Sequence, residues 1–163
     1  MEEKEKIQAH ILSVWKESRE FFSGRGAEIM LILTDKHLMF IKKTESKMKW
    51  WGANTQRQVV KFIQNKNVMV TVDGYTEEHL RIDLENKKNQ EVSFNDVLDI
   101  GMKEKVWGNI LLLETLEDGE TKKYQFSVVQ DWVKYPLKDP TKRMKVDWSD
   151  FVKYVKDQQL VTE

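Results

Sequence analysis

Two apolar runs separated by a short polar segment give the clearest structural signal in the chain. The runs cover residues 29–33 and 38–41, and residues 34–36 between them are polar. Apolar runs of this length across a tight turn predict a β-hairpin. Because neither run alternates with polar residues, the hairpin is expected to be buried on both faces. A short third strand is predicted at 47–51, where Met and Trp alternate with Lys.

In the second half of the chain, apolar residues recur at every second position. The alternation covers residues 92–94, 98–102 and 124–128, and residues 110–113 form another continuous apolar run. The Asp-Gly pair at 118–119 is typical of a two-residue hairpin turn. Short strands about ten residues apart predict antiparallel pairing in a β-sandwich or barrel.

Helical spacing appears at both ends of the chain and once in the middle. Apolar residues over 4–22 recur at steps of three and four, which predicts an N-terminal amphipathic helix. Residues 52–89 are expected to form a partly helical insertion, with a strand over 68–72 and a helix over 76–86. A closing helix is predicted after Asp147, its N-cap, from one apolar stripe: Trp148, Phe151, Val152 and Val155.

Composition excludes several classes of protein. The 163 residues are 40% hydrophobic and include six Trp, so the chain is long and apolar enough to bury a core. The absence of Cys excludes a disulfide framework, a thiolate zinc site and a cysteine nucleophile. No apolar run approaches the roughly 20 residues of a membrane span, and the charged first residues do not resemble a signal peptide. A cytoplasmic protein, either free or peripheral to a membrane, is therefore expected.

Sequence motifs for catalysis are absent. The chain has no phosphate-binding glycine loop, no dinucleotide fingerprint, no nucleophile elbow and no zinc-protease helix motif. His10, His37 and His79 lie far apart in sequence, without the spacing of metal ligands, so neither a metal nor a cofactor is predicted. An enzyme that uses a pair of carboxylates remains an alternative, but the sequence nominates no pair.

A neutral total charge hides a polarised chain. Residues 36–66 contain eight basic residues and one acid, whereas residues 73–120 contain thirteen acids and five basic residues. The basic segment also contains two adjacent tryptophans. Its candidate contact residues for an anionic ligand or membrane are Lys42, Lys43, Lys47, Lys49, Trp50, Trp51, Arg57 and Lys61.

Three interpretations of this basic segment stay open. Basic residues interleaved with tryptophan fit an anionic membrane, where Trp lies at the headgroup level, and they also fit single-stranded nucleic acid, where rings stack on bases. The third interpretation is a solvated loop whose tryptophans pack inward. A second group, Trp132, Tyr135 and Leu137, either pins a long loop over 129–146 or forms an exposed patch for a protein partner.

Two stretches resemble the PH-like superfamily, in particular its GRAM and bacterial or archaeal PH-like groups. Residues 31–41, Leu-Ile-Leu-Thr-Asp-Lys-His-Leu-Met-Phe-Ile, are similar to the first hairpin of those groups, although His37 stands where Arg is common. Residues 91–100, Glu-Val-Ser-Phe-Asn-Asp-Val-Leu-Asp-Ile, are similar to one of their strand pairs. These patterns of apolar residues and turns extend the resemblance over roughly residues 27–160.

The resemblance implies a mainly β α+β fold, namely a bent antiparallel sandwich or partly open barrel of about seven strands capped by the C-terminal helix. The implied organisation is an N-terminal helix over 1–24, followed by a PH-like domain over 25–163 with the insertion at 52–89. It also implies a non-enzymatic interaction module that binds a protein partner or an anionic membrane surface. The first hairpin lacks the full lysine and arginine motif of phosphoinositide-binding PH domains, so inositide binding is not expected.

Overall fold

The computed structural model describes residues 5–18, 27–42, 57–58, 60–62, 64–71, 75–105, 108–128 and 145–161. These residues contain a single antiparallel sheet of seven strands. The strands are β1 (Ile7–Ser18), β2 (Ala27–Thr34), β3 (His37–Ile41), β4 (Gln90–Ser93), β5 (Val97–Lys105), β6 (Gly108–Glu117) and β7 (Glu120–Val128). Their order across the sheet is β4-β3-β2-β1-β7-β6-β5, so the fold is mainly β and the sheet does not close on itself.

Helices occupy the segments between β3 and β4, between β4 and β5, and after β7. Helix α1 covers Glu77–Leu84, a 3-10 helix covers Phe94–Asp96, and helix α2 covers Ser149–Val161. Further helical residues lie at 57–58, 60–62 and 64–65 and are called the basic helix below. The predicted strand at 47–51 and most of the predicted loop at 129–146 lie outside the described residues.

Aromatic contacts show that the sheet is strongly bent. The ring of Phe40 on β3 lies 5.3 Å from the ring of Phe126 on β7, centroid to centroid. Two strands, β2 and β1, separate β3 from β7, and three strand spacings in a flat sheet would place them about 14 Å apart. The sheet therefore folds over, and residues from all seven strands meet in one inner core.

The prediction of a doubly buried hairpin is confirmed. β2 pairs with β3 in antiparallel register, from Met30 opposite Ile41 to Leu33 opposite Leu38. Leu31, Leu33, Leu38 and Phe40 face the inner core, while a second cluster on the outer face contains Met30, Ile32, Met39 and Ile41 with Tyr75 and Leu80 from the insertion. The insertion thus covers the outer face of this half of the sheet, which explains why neither strand alternates with polar residues.

The prediction of an N-terminal helix is wrong, because residues 7–18 form β1 in the middle of the sheet. Ala9, His10, Ile11 and Leu12 are all buried, so both faces of the strand are covered. The pairing of β1 with β2 also shifts register between Ile11 and Val14, which is typical of a β-bulge. Burial on both faces and the shift together remove the two-residue alternation and leave a spacing that resembles a helix.

The C-terminal helix is confirmed. Trp148, Phe151 and Val155 are fully buried in the inner core, and Val152 packs against it. Asp147 Oδ1 accepts hydrogen bonds from the Ser149 backbone N–H at 2.9 Å and from its hydroxyl at 2.6 Å. At the other end of α2, the Gln159 amide donates to the carbonyl oxygens of Phe94 and Val97 at 2.9 and 2.8 Å.

The insertion follows the predictions in part. Helix α1 begins after Thr76 with a capping box completed by His79, which confirms the helix predicted over 76–86. The strand predicted over 68–72 is wrong for residues 68–71, which form no strand. An isolated bridge joins the preceding residue, Asn67, to Asp147. The Val68 N–H donates to the Asp147 carbonyl at 3.4 Å, and the Val70 carbonyl accepts from the His10 N–H at 2.7 Å.

Candidate functional site

The structure describes three of the predicted contact residues, Lys42, Arg57 and Lys61. The other five, Lys43, Lys47, Lys49, Trp50 and Trp51, lie outside the described residues, as do Trp132, Tyr135 and Leu137. The interpretations that depend on those tryptophans stay predictions.

The basic helix has one buried face and one exposed face. Gln58 and Phe62 are 6% and 1% exposed, whereas Arg57, Val60 and Lys61 are exposed. Because residues three and four apart share a helix face, Arg57, Val60 and Lys61 lie together on the outside. Val60, at 48% exposure, adds an apolar side chain between the two cations.

Hydrogen bonds and packing fix this orientation of the basic helix. The Gln58 side chain accepts from the Leu12 backbone N–H at 2.8 Å and donates to the His10 carbonyl at 2.7 Å. Phe62 belongs to the inner core. The buried residues therefore attach the helix to β1 and leave its cationic face toward solvent.

The basic helix ends at a cleft with three more lysines. The cleft has a volume of about 390 Å³ and is lined by Lys66, Lys105 and Lys145 together with Met102, Glu104, Asn109, Val146 and Asp147. Hydrogen bonds from Ser149 hold the pKa of Asp147 below its usual value, so its carboxylate stays ionised beside the lysines. The lining thus carries three lysines against the two carboxylates of Glu104 and Asp147.

Lys66 has a backbone conformation that lysine rarely adopts. Its φ is 64°, and its N–H donates to the Phe62 carbonyl at 2.9 Å, as expected for the residue that follows a helix. Its own carbonyl accepts from the Asp147 N–H at 2.7 Å, which joins this turn to the start of α2. Glycine is the usual residue at such a position.

Lys42 follows β3 and neighbours a lysine that the sequence did not indicate. The ammonium of Lys16 lies 5.0 Å from the Phe40 ring centroid and 4.9 Å from that of Tyr124. Burial lowers the pKa of Lys16, Glu117 opposes that shift, and Lys42 adds to it. Lys16 was missed because residues 4–22 were predicted to form a helix. If the segment had been predicted as a strand, Lys16 would have fallen two residues after Val14 and therefore on the same inner face.

Comparisons of the chain with protein-family models, with curated proteins and with solved structures gave no match. Among the helices of the described segments, none has the length and apolar character needed to cross a membrane.

Proposed function

We propose that this chain is a non-enzymatic PH-like interaction module that binds an anionic membrane surface through the exposed face of the basic helix. The seven antiparallel strands, the bend that brings β3 against β7, and the burial of α2 in the core agree with the bent, helix-capped sandwich that the sequence resemblance implies. The sheet also includes β1, which precedes the predicted domain start at residue 25, so the matched hairpin at 31–41 is β2–β3 and not the first. These features support the PH-like assignment.

The exposed face formed by Arg57, Val60 and Lys61 carries the functional part of the proposal. No Asp or Glu occurs between residues 53 and 72, so no neighbour in sequence neutralises these cations. A lysine or arginine close to an anionic leaflet contributes about 1 kcal/mol, and an apolar side chain between cations can enter the headgroup region. An acidic protein surface would use the two charges but gains less from the exposed Val60.

The direct test is co-sedimentation with vesicles of phosphatidylcholine alone and of phosphatidylcholine with phosphatidylserine. We expect binding to the anionic vesicles only, and weaker binding as the ionic strength rises. The double substitution Arg57→Gln and Lys61→Gln should lower the affinity about 30-fold, which corresponds to about 2 kcal/mol.

The matched control carries the same charge change at Lys87→Gln and Lys88→Gln, two exposed residues in the turn after α1. We expect it to bind vesicles nearly as well as the unmodified chain. Equal losses in both double variants would mean that only net charge matters, and no preference for anionic vesicles would refute the proposal. Retardation of a labelled single strand without vesicle binding would favour the nucleic-acid alternative.

The substitution Lys66→Gly tests whether the charge of Lys66 contributes to membrane binding, because its effects on stability and on binding are expected to have opposite signs. Glycine relieves the left-handed backbone strain, so the variant should be more stable by up to about 1 kcal/mol in a denaturant titration. If Lys66 contributes a membrane contact, the same variant should bind anionic vesicles several-fold more weakly. Improved stability with unchanged binding would exclude Lys66 from the contact surface.

A further inference from the structure

A histidine and two glutamates from three separate segments meet at one end of the β2–β3 hairpin. His37 is the first residue of β3, Glu91 lies on the edge strand β4, and Glu5 precedes β1. His37 pairs with Ser93, so Glu91 is its diagonal neighbour on the same face of the sheet. One possible ligand atom of each side chain lies within 4.8 Å of the other two.

The two nitrogens of the imidazole face different carboxylates. His37 Nδ1 lies 2.6 Å from Glu5 Oε1, a hydrogen-bond distance, and His37 Nε2 lies 3.8 Å from Glu91 Oε1, too far for a hydrogen bond. The Thr34 hydroxyl donates to the same Glu5 oxygen and accepts from the His37 backbone N–H at 2.9 Å. Glu5 and the ring are therefore held in place, while the gap between Nε2 and Glu91 is left open.

We propose that His37 Nε2 and the Glu91 carboxylate bind a divalent transition-metal ion of the zinc class, with Glu5 as the residue that orients the imidazole. A Zn–N bond of about 2.0 Å and a Zn–O bond of about 2.1 Å together span about 4.1 Å. An ion at both bond lengths thus fits into the 3.8 Å gap. If Nε2 and the carboxylate oxygen approach each other by about 0.4 Å, the N–Zn–O angle becomes tetrahedral.

The contact between Glu5 and Nδ1 is the arrangement that metal-binding histidines use. Such a histidine almost always donates its second ring N–H to a carboxylate or carbonyl, which fixes the tautomer and directs the free nitrogen at the metal. The side chains of His37 and Glu91 are 26% and 43% exposed, so a hydrated ion can reach them and water can fill its remaining positions. A bound ion would join the edge strand β4 to β3 and, through Glu5, to the start of β1.

The test is a calorimetric titration of the full chain with Zn²⁺ after removal of metal by chelation, at neutral pH. We expect one Zn²⁺ per chain and a rise in melting temperature on saturation. His37→Gln and Glu91→Gln should each lower the affinity more than tenfold. Glu5→Ala should lower it about tenfold, and Glu5→Gln, which keeps an acceptor for the Nδ1–H, should restore part of that loss.

The matched control is His79→Gln, which removes an exposed histidine and retains the capping box with glutamine. Its Zn²⁺ affinity should equal that of the unmodified chain, and in NMR spectra the His37 ring signals alone should shift on addition of Zn²⁺. Absence of binding, or equal affinity in the His37→Gln and His79→Gln variants, would overturn the proposal. The three residues would then form an ion-pair cluster only.

Discussion

His10 makes folding depend on pH, and its surroundings determine the direction. Its side chain lies in the outer cluster, 1% exposed, with Nε2 3.0 Å from the sulfur of Met30 and its ring centroid 4.6 Å from that of Tyr75. The Nδ1 atom is buried without a hydrogen-bond partner in the described structure. The Tyr75 hydroxyl donates to the buried carboxylate of Asp83 at 2.5 Å, and burial raises the pKa of Tyr75.

Burial lowers the pKa of His10 from 6.5 to about 3, because the charged ring would lose its hydration there. In the unfolded chain the imidazole takes up a proton near its ordinary pKa, whereas in the folded chain it does not. Between pH 6.5 and 3 the unfolded state therefore binds more protons, and the free energy of unfolding decreases as the pH falls. The His10 contribution to this loss is about 2 kcal/mol at pH 5 and about 3 kcal/mol at pH 4.

Urea titrations of the unmodified chain and of His10→Leu between pH 7.5 and 4.5 measure this contribution. Carboxylates titrate in both proteins, so the difference between the two stability profiles isolates His10. We expect this difference to shift by about 2 kcal/mol in favour of His10→Leu as the pH falls to 5. A third titration, of His79→Gln, which replaces an exposed histidine, is the control for the loss of a histidine in general. A constant difference between the His10→Leu and unmodified profiles would refute the reasoning.

Three further substitutions test the fold by chemical denaturation. Trp148→Ala should cost about 3–5 kcal/mol because its ring is fully buried and packs edge-on against Phe151 at 5.5 Å; a loss below about 1 kcal/mol would mean that α2 does not seal the core. Thr76→Ala removes the N-cap of α1 and should cost about 1 kcal/mol, and no change would show that the capping box is dispensable. Gly119→Ala should cost about 1–2 kcal/mol because the φ of Gly119 is 80°, and a neutral effect would mean that the turn adapts.

Residues close together in the sequence were enough to predict the structure of a turn or helix that depends mainly on its own residues. The Asp-Gly pair at 118–119 predicts a two-residue turn, and both residues have positive φ values of 52° and 80° in the β6–β7 hairpin. Thr76 and the apolar stripe of α2 likewise specify helix starts and faces from residues a few positions apart. Composition and periodicity therefore predict the mainly β class and both of these helices.

Tertiary context decided the features that sequence reasoning missed. β1 is buried on both faces because the insertion covers one of them, and no signal within residues 7–18 reveals that partner. The same holds for the cluster of Glu5, His37 and Glu91, whose members are 32 and 54 positions apart and meet only through the β3–β4 pairing and the start of β1.

The basic charge of residues 36–66 was visible in the sequence. The exposed face of the basic helix depends on Gln58 and Phe62 being buried.

Gln58 shows how the insertion completes the sheet. Among the residues that the structure describes, β7 pairs with β1 only from Val14 to Ser18, and no described strand pairs with the earlier part of β1 on that side. The Gln58 amide takes the place of a strand there, since it bonds both the Leu12 N–H and the His10 carbonyl while remaining 6% exposed. The Val70 carbonyl accepts from the His10 N–H on the same strand.

Gln58→Ala should therefore cost about 2–6 kcal/mol in a urea titration, because an unsatisfied buried backbone group costs about 1–3 kcal/mol and two are left. Gln58→Glu retains the acceptor for Leu12 but sets a carboxylate oxygen against the His10 carbonyl, so it should be at least as unstable at pH 7. Its deficit relative to the unmodified chain should narrow as the pH falls, because burial favours the protonated acid, which can donate to the carbonyl. Gln64→Ala, an exposed change on the same helix, should cost less than about 0.5 kcal/mol. Equal effects of Gln58→Ala and Gln64→Ala would show that the amide does not substitute for a strand.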